Sequence, residues 1–228
     1  MIRVAQCWDD GDVTDIRLAE LFRKYNAKAT FNLCPGLFHP TRRISRGSYN
    51  GFARSKLAQQ ELKSVYHGFQ VASHTMTHVN AGSVPDEDFL RETLDARHFL
   101  ENLFQQECRG FAWPCGRYTP ETIRLLKRAG FAYGRTTANT ENVIPCDEPM
   151  TLHSSCHFLN PEFRRIFERV AARNGTFYFW GHSYEMMDCS QRWERFEEML
   201  RMLSEDPDVE WVDVIDLIPH SNRDHGTD

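Results

Sequence analysis

Short apolar runs alternate along this chain with stretches in which apolar residues recur every three or four positions. Residues 2–8 (IRVAQCW) read as a strand. Leu18, Leu21, Phe22 and Tyr25 then share one helical face, opened by Thr14 or Asp15. Further strands are predicted at 29–33 (ATFNL), 69–72, 110–113, 131–134, 150–153, 176–180 (TFYFW) and 209–214. Helices are predicted at 57–66, from Ser83 and Pro85 through Leu103, from Thr119 and Pro120 to Gly130, at 161–173, and from Ser190 through Leu203. Residues 35–55 break the pattern with Gly, Pro, Ser and Asn beside Arg42, Arg43, Arg46 and Arg54, and are expected to form a long loop. Strand and helix alternate seven or eight times, which argues for α/β architecture with a parallel sheet, open or closed into a barrel. No linker or change of composition divides the chain. One domain is expected over 1–218, followed by a polar C-terminal tail at 219–228.

Composition narrows the function classes. The chain has 228 residues, 41% hydrophobic and 26% charged, with a net charge of −5. An acidic balance gives no electrostatic reason to expect nucleic acid as a partner. No apolar run approaches the roughly 18 residues of a membrane span. No basic segment followed by an apolar stretch opens the chain, so no signal peptide is read and a cytoplasmic location is expected. The seven cysteines include no CxxC pair, which argues against a cysteine zinc site.

The chemistry-bearing residues fall at one kind of place. Asp9 and Asp10 follow the first predicted strand, His74 and His78 the strand at 69–72, Pro114 and Cys115 the strand at 110–113, and His182 the strand at 176–180. In a parallel barrel those ends share one face, the face that carries active sites. Adjacent carboxylates repel unless a cation sits nearby. His74-x-x-x-His78 puts two imidazoles one helical turn apart, and one carboxylate from Asp9 or Asp10 completes a two-His, one-carboxylate set with open positions. The other carboxylate then remains to take a proton from water. A second HxxxH, His153 and His157, has no companion DDG and reads as a cleft wall or a structural pair. Asp12 and Asp15 read as charges favoured by a helix N-terminus.

With these residues in hand the sequence resembles the polysaccharide deacetylase family, also called the NodB-homology domain or carbohydrate esterase family 4. CWDDG resembles the family's first motif, TFDDG. His74-Thr75-Met76-Thr77-His78 resembles its second, AWPCG (residues 112–116) its third in part, and WGHSYE its fifth. The resemblance implies a distorted (β/α)7 barrel with parallel strands. It also implies a divalent metal, zinc first, with cobalt, nickel or iron as alternatives, held by Asp10, His74 and His78. Asp9 is then the general base and His182 the acid. The Cys115 N–H lies against the oxyanion, and Trp113, Arg135 and Glu185 are candidate substrate contacts. The implied reaction removes an acetyl group, N-acetyl before O-acetyl, from a saccharide or glycoconjugate. Hydrolysis of a small amide or cyclic imide, or a silent sugar-binding module, are the alternatives. Two departures stand out. The third motif's arginine falls on Ala112, and Arg135 is the candidate to replace it. No carboxylate clearly orients His182; Asp147 and Asp213 are candidates.

Overall fold

The structure, a computed structural model, describes residues 1–140, 148–173 and 175–219. Strand β1 (Ile2–Asp9) lies at the centre of a parallel sheet. It pairs with β10 (Thr176–Gly181) on one side, and on the other with β2 (Thr30–Leu33) along its C-terminal half and β11 (Val209–Trp211) along its start. Beyond β2 follow β5 (Gln70–Ser73), β6 (Gly110–Ala112), β7 (Tyr133–Asn139) and β8 (Leu152–Ser154). Beyond β10 lies β9 (Cys156–His157). The two ends of this path, β8 and β9, are separated in the chain by Ser155 alone, so the sheet curls until it nearly closes as a distorted barrel. Helices α1 (Asp15–Lys24), α3 (Asp86–Phe104), α4 (Pro120–Arg128), α5 (Phe163–Ala171) and α6 (Ser190–Glu205) surround it. The start of α4 follows its sequence signal: Pro120 opens the helix and the Thr119 hydroxyl accepts the Thr122 N–H at 3.0 Å.

Strand periodicity decides which side chains reach the interior. On β1, Val4 and Trp8 point outward into the main core, while Ala5 and Cys7 join Tyr133 and Tyr178 inside the barrel. The fully buried Trp8 indole packs against the rings of Phe22, Phe158, Phe179 and Phe196 at centroid distances of 5.0–6.5 Å. Truncating such a ring typically costs ~3–5 kcal/mol. The same alternation carries Asp9, two residues beyond Cys7, to the interior mouth. It does the same for Arg135 beyond Tyr133, and for Trp180 and His182 beyond Tyr178.

Several sequence expectations change. Residues 35–55 are not a simple loop. They contain an antiparallel hairpin, β3 (Arg43–Tyr49) and β4 (Phe52–Lys56). Its turn residues Asn50 and Gly51 have φ of 49° and 83°, the two positive values a two-residue type I′ turn needs. The helix expected at 57–66 is a 3-10 turn (Gln59–Glu61) followed by the single turn α2 (Leu62–Val65). Asp12, read as a charge favoured by a helix N-terminus, has cationic partners instead. It is buried against Arg54 and Lys56 of the hairpin, at 2.6 and 3.1 Å. Asp147 and residues 220–228 of the expected tail lie outside the described residues.

Candidate active site

The C-terminal strand ends converge on one polar centre. β1 ends in Asp9, and the chain then turns sharply: Asp10 has φ of 84° and Gly11 of 73°. A side chain at Gly11 would collide with the Phe38 ring, so a residue without Cβ is required there on both grounds. Thr75, His78 and Cys115 are also left-handed, and all lie in loops at this end of the barrel. Non-glycine residues in that region cost energy and concentrate at functional sites.

Asp10, His74 and His78 each offer a ligand atom, and these atoms all lie within 4.8 Å of one another. His78 Nε2 is 3.8 Å from Asp10 Oδ1. The two imidazoles do not meet through a helical turn, as their spacing suggested. Residues 74–78 form a loop, whose left-handed Thr75 and His78 fold the rings together at a centroid distance of 4.7 Å. The Ala112 carbonyl can only accept, so its 2.8 Å contact with His74 Nδ1 places the proton on Nδ1 and leaves the Nε2 lone pair free. Burial pushes the His74 imidazole down to about 4, so it is neutral at neutral pH. Burial alone would raise the Asp10 carboxyl, but Lys56, His182, His74 and Arg54 together hold it far below the usual range. A neutral imidazole with an anchored far nitrogen and an ionised carboxylate are the donor states a divalent cation requires. The residues therefore fit the metal that the family resemblance implies.

Asp9 faces a different set of partners. Its Oδ1 accepts from Asn32 Nδ2 at 2.7 Å, and its Oδ2 forms a short ion pair with Arg135. Both charged side chains are almost fully buried. Burial opposes ionisation of Asp9, but Arg135, His74, His182 and Asn32 outweigh it and lower its pKa. Arg135 lies directly across from Ala112 in the β6–β7 register. A guanidinium thus reaches Asp9 from the strand next to the one on which the family motif carries its arginine. Arg135 stacks on the Trp180 ring at 4.7 Å and is too deeply buried to serve as a surface contact for substrate.

His182 follows β10, with Nε2 3.8 Å from Asp9 Oδ2. Its Nδ1–H donates to Glu185 Oε2 at 3.1 Å, and its backbone N–H donates to the same oxygen at 2.9 Å. Burial would lower the His182 pKa, but the Glu185 hydrogen bond and the charges of Asp10, Asp9 and Glu185 raise it. Burial would raise Glu185, but hydrogen bonds from His157 and His182 bring it down to about 2. Glu185, expected to contact substrate, therefore stands behind His182 and supplies the carboxylate that sequence reading sought in Asp147 or Asp213. Asp213 is 3.8 Å from Lys28, a residue that precedes β2, at the opposite end of the strands.

Cys115 lies exposed in a tight turn (Pro114–Gly116) directly after β6, with φ 53° and ψ 18°. Trp113 does not offer a ring to substrate. It is fully buried, stacked on Phe89 at 5.9 Å, and its Nε1–H donates to the Met150 carbonyl at 2.8 Å. Three other partners carry no motif that marks them in the sequence. Asn32 is the one amide in the TFNL strand. Arg54 donates to Asp10 Oδ2 at 2.8 Å while lying 3.4 Å over the Tyr184 ring. Lys56 Nζ donates to the Asp10 carbonyl at 2.7 Å. The hairpin's far end is also tied down: Asn50 donates to Asp188 at 2.7 Å, and Arg192 to the Tyr49 hydroxyl at 3.0 Å.

A sequence profile described as polysaccharide deacetylase matches residues 2–134, more than half of the chain, and the chain belongs to that family. The match includes Asp9, Asp10, His74, His78 and Cys115, and stops before Arg135, His157, His182 and Glu185. The chain is 30% identical over 130 residues to the peptidoglycan-N-acetylglucosamine deacetylase of Bacillus cereus, covering 56% of this chain and 53% of that protein. It spans about half the length of the curated relatives it matches. Among solved structures it is similar to a peptidoglycan N-acetylglucosamine deacetylase in complex with 4-naphthalen-1-yl-N-oxidanyl-benzamide. That likeness has a TM-score of 0.61 at 12% identity, over 95% of this chain and 87% of that one. It is also similar to a family 4 acetyl xylan esterase from Clostridium thermocellum in complex with a cobalt ion, with a TM-score of 0.56 at 15% identity, over 94% and 89% of the two chains. At these identities the structural likenesses bear on the fold alone. No helix among the described residues is long and apolar enough to cross a membrane.

Proposed function

We propose that this chain is a metal-dependent deacetylase that removes an acetyl group, N-acetyl in preference to O-acetyl, from a saccharide or glycoconjugate. The observation that carries this reading is the convergence of Asp10, His74 and His78 within 4.8 Å, with Asp9 and His182 held beside them. The N-acetylglucosamine specificity in the name of the Bacillus cereus relative supports the choice of amide over ester. Asp10, His74 and His78 would hold a divalent ion, zinc in the first instance, which would supply Lewis-acid charge and lower the pKa of water.

The chain's own residues do the rest. Asp9, kept ionised by Arg135, accepts the proton of the attacking water. The Cys115 backbone N–H is assigned to the oxyanion, a role that survives the change of side chain because only main chain is used. His182, with Nδ1–H anchored on Glu185, presents Nε2–H and gives its proton to the departing nitrogen. The arginine missing at Ala112 would favour the silent sugar-binding module. Arg135 on Asp9 weakens that ground.

The direct test is acetate release from an N-acetylated chitooligosaccharide. We expect turnover that a chelator abolishes and added divalent metal restores. Binding without turnover would favour the silent module, and turnover of small amides alone would move the substrate class.

The acid assignment also fixes a pH dependence. The protonated form of His182 is the active one, so kcat/KM should fall as pH rises through its pKa, which lies above the ordinary imidazole value. Replacing Glu185 by Gln removes a charge that raises that pKa, so the alkaline limb should move to lower pH. A limb that stays in place in Glu185→Gln would contradict the assignment.

A further inference from the structure

We infer that His157 is a positioning residue for His182, acting through Glu185; this rests on the reading of His182 as the proton donor. His157 lies on β9, opposite Trp180 in the parallel register with β10. Its ring does not touch the metal-ligand set. It packs edge-on to Trp180 at 4.8 Å and against Phe158 at 5.0 Å, 6.5 Å from the His182 ring. Its Nε2 is 3.0 Å from Glu185 Oε2.

The protonation of His157 follows from its other nitrogen. The Leu159 N–H donates to Nδ1 at 3.3 Å, so Nδ1 holds a lone pair and Nε2 carries the proton. His157 is therefore a neutral donor to Glu185 and leaves the carboxylate its full charge. That one oxygen receives three donors: His157 Nε2–H, His182 Nδ1–H and the His182 backbone N–H. Two of the three come from His182 itself, three positions earlier in the chain. The third comes from a different strand and ties the carboxylate to the barrel wall. A glutamate held only by its local turn would be free to rotate away. His182 would then lose the partner that keeps Nδ1 protonated and Nε2 aimed toward Asp9.

His157, His182 and Glu185 also have the composition of a cation site, with ligand atoms within 4.8 Å. The Leu159 contact argues against that use. A cation on Nε2 would move the proton to Nδ1, where it would face the Leu159 N–H.

The test compares His157→Phe, which keeps a ring against Trp180 and Phe158 but has no donor, with His157→Gln, whose amide can still donate to Glu185. Acetate release from the N-acetylated chitooligosaccharide is the readout. In His157→Phe we expect kcat to fall about 10-fold with KM within about two-fold of wild type, in line with the loss of an outer-shell partner. His157→Gln should recover most of that kcat. Equal loss in the two variants, no loss in either, or a loss confined to KM would overturn the inference. So would two zinc ions per wild-type chain with one in His157→Phe, because Nε2 would then be a ligand. His182→Ala separates the two levels. If it keeps wild-type kcat, or if the chitooligosaccharide is not turned over at all, the acid assignment falls and this inference with it. If His182→Ala is inactive while His157→Phe is fully active, only the role of His157 falls.

Discussion

Replacing Asp9 by Asn should lower kcat/KM for deacetylation by about 10²–10⁴, the range for loss of a positioned general base. It should leave the bound metal in place. The substitution is nearly isosteric, and an amide oxygen can still accept from Arg135, so the fold should survive. What disappears is the carboxylate that takes the proton. The comparison is informative because Asp9 and Asp10 are adjacent yet differently surrounded. Asp9 bonds to Asn32 and Arg135, whereas Asp10 faces His78 and is held by Arg54. An undiminished rate in Asp9→Asn, measured on protein of unchanged metal content, would remove Asp9 from the reaction.

The second large effect is on stability. Arg135→Met should destabilise the fold by about 3–5 kcal/mol, because it strands the Asp9 carboxylate in the barrel interior without its cation. Breaking one partner of a buried pair costs more than replacing both. The double substitution Asp9→Asn with Arg135→Met should therefore be more stable than Arg135→Met alone. Denaturant unfolding of the wild type, both single variants and the double variant gives the coupling directly. Additive losses would mean that the short contact between these side chains carries no net interaction.

How far the sequence revealed this site depended on how local each signal was. The DDG after β1 and the histidines of SHTMTH were legible because strand ends and polar residues coincide there, and the family match covers both. His182 was legible as a histidine just past the TFYFW strand. Arg135 was recognised as a candidate because neighbouring strands can exchange a charge across their register. Its actual partner, Asp9, is far away in sequence. Glu185 was noticed three residues after His182, but its role depends on side-chain direction, which spacing does not specify. The convergence of His74 and His78 was right in outcome and wrong in cause. A loop with left-handed residues, not a helical turn, brings the rings together. Trp113, a candidate substrate contact, faces the core, because spacing does not say which way an aromatic after a strand turns. The hairpin was missed because its strands are short and polar, although Asn50 and Gly51 carried a usable turn signal. With it were lost Arg54 and Lys56, which bind Asp10 and Asp12 from an element that had looked irregular.

The decisive measurement is the metal content of the purified chain, by elemental analysis after equilibrium dialysis against zinc, in wild type and in His74→Ala. If Asp10, His74 and His78 form the ion site, the wild type should hold one ion per chain, lost on chelation together with acetate release, and His74→Ala should hold none. Full occupancy in His74→Ala, or deacetylation that persists in chelated wild-type protein free of metal, would contradict it.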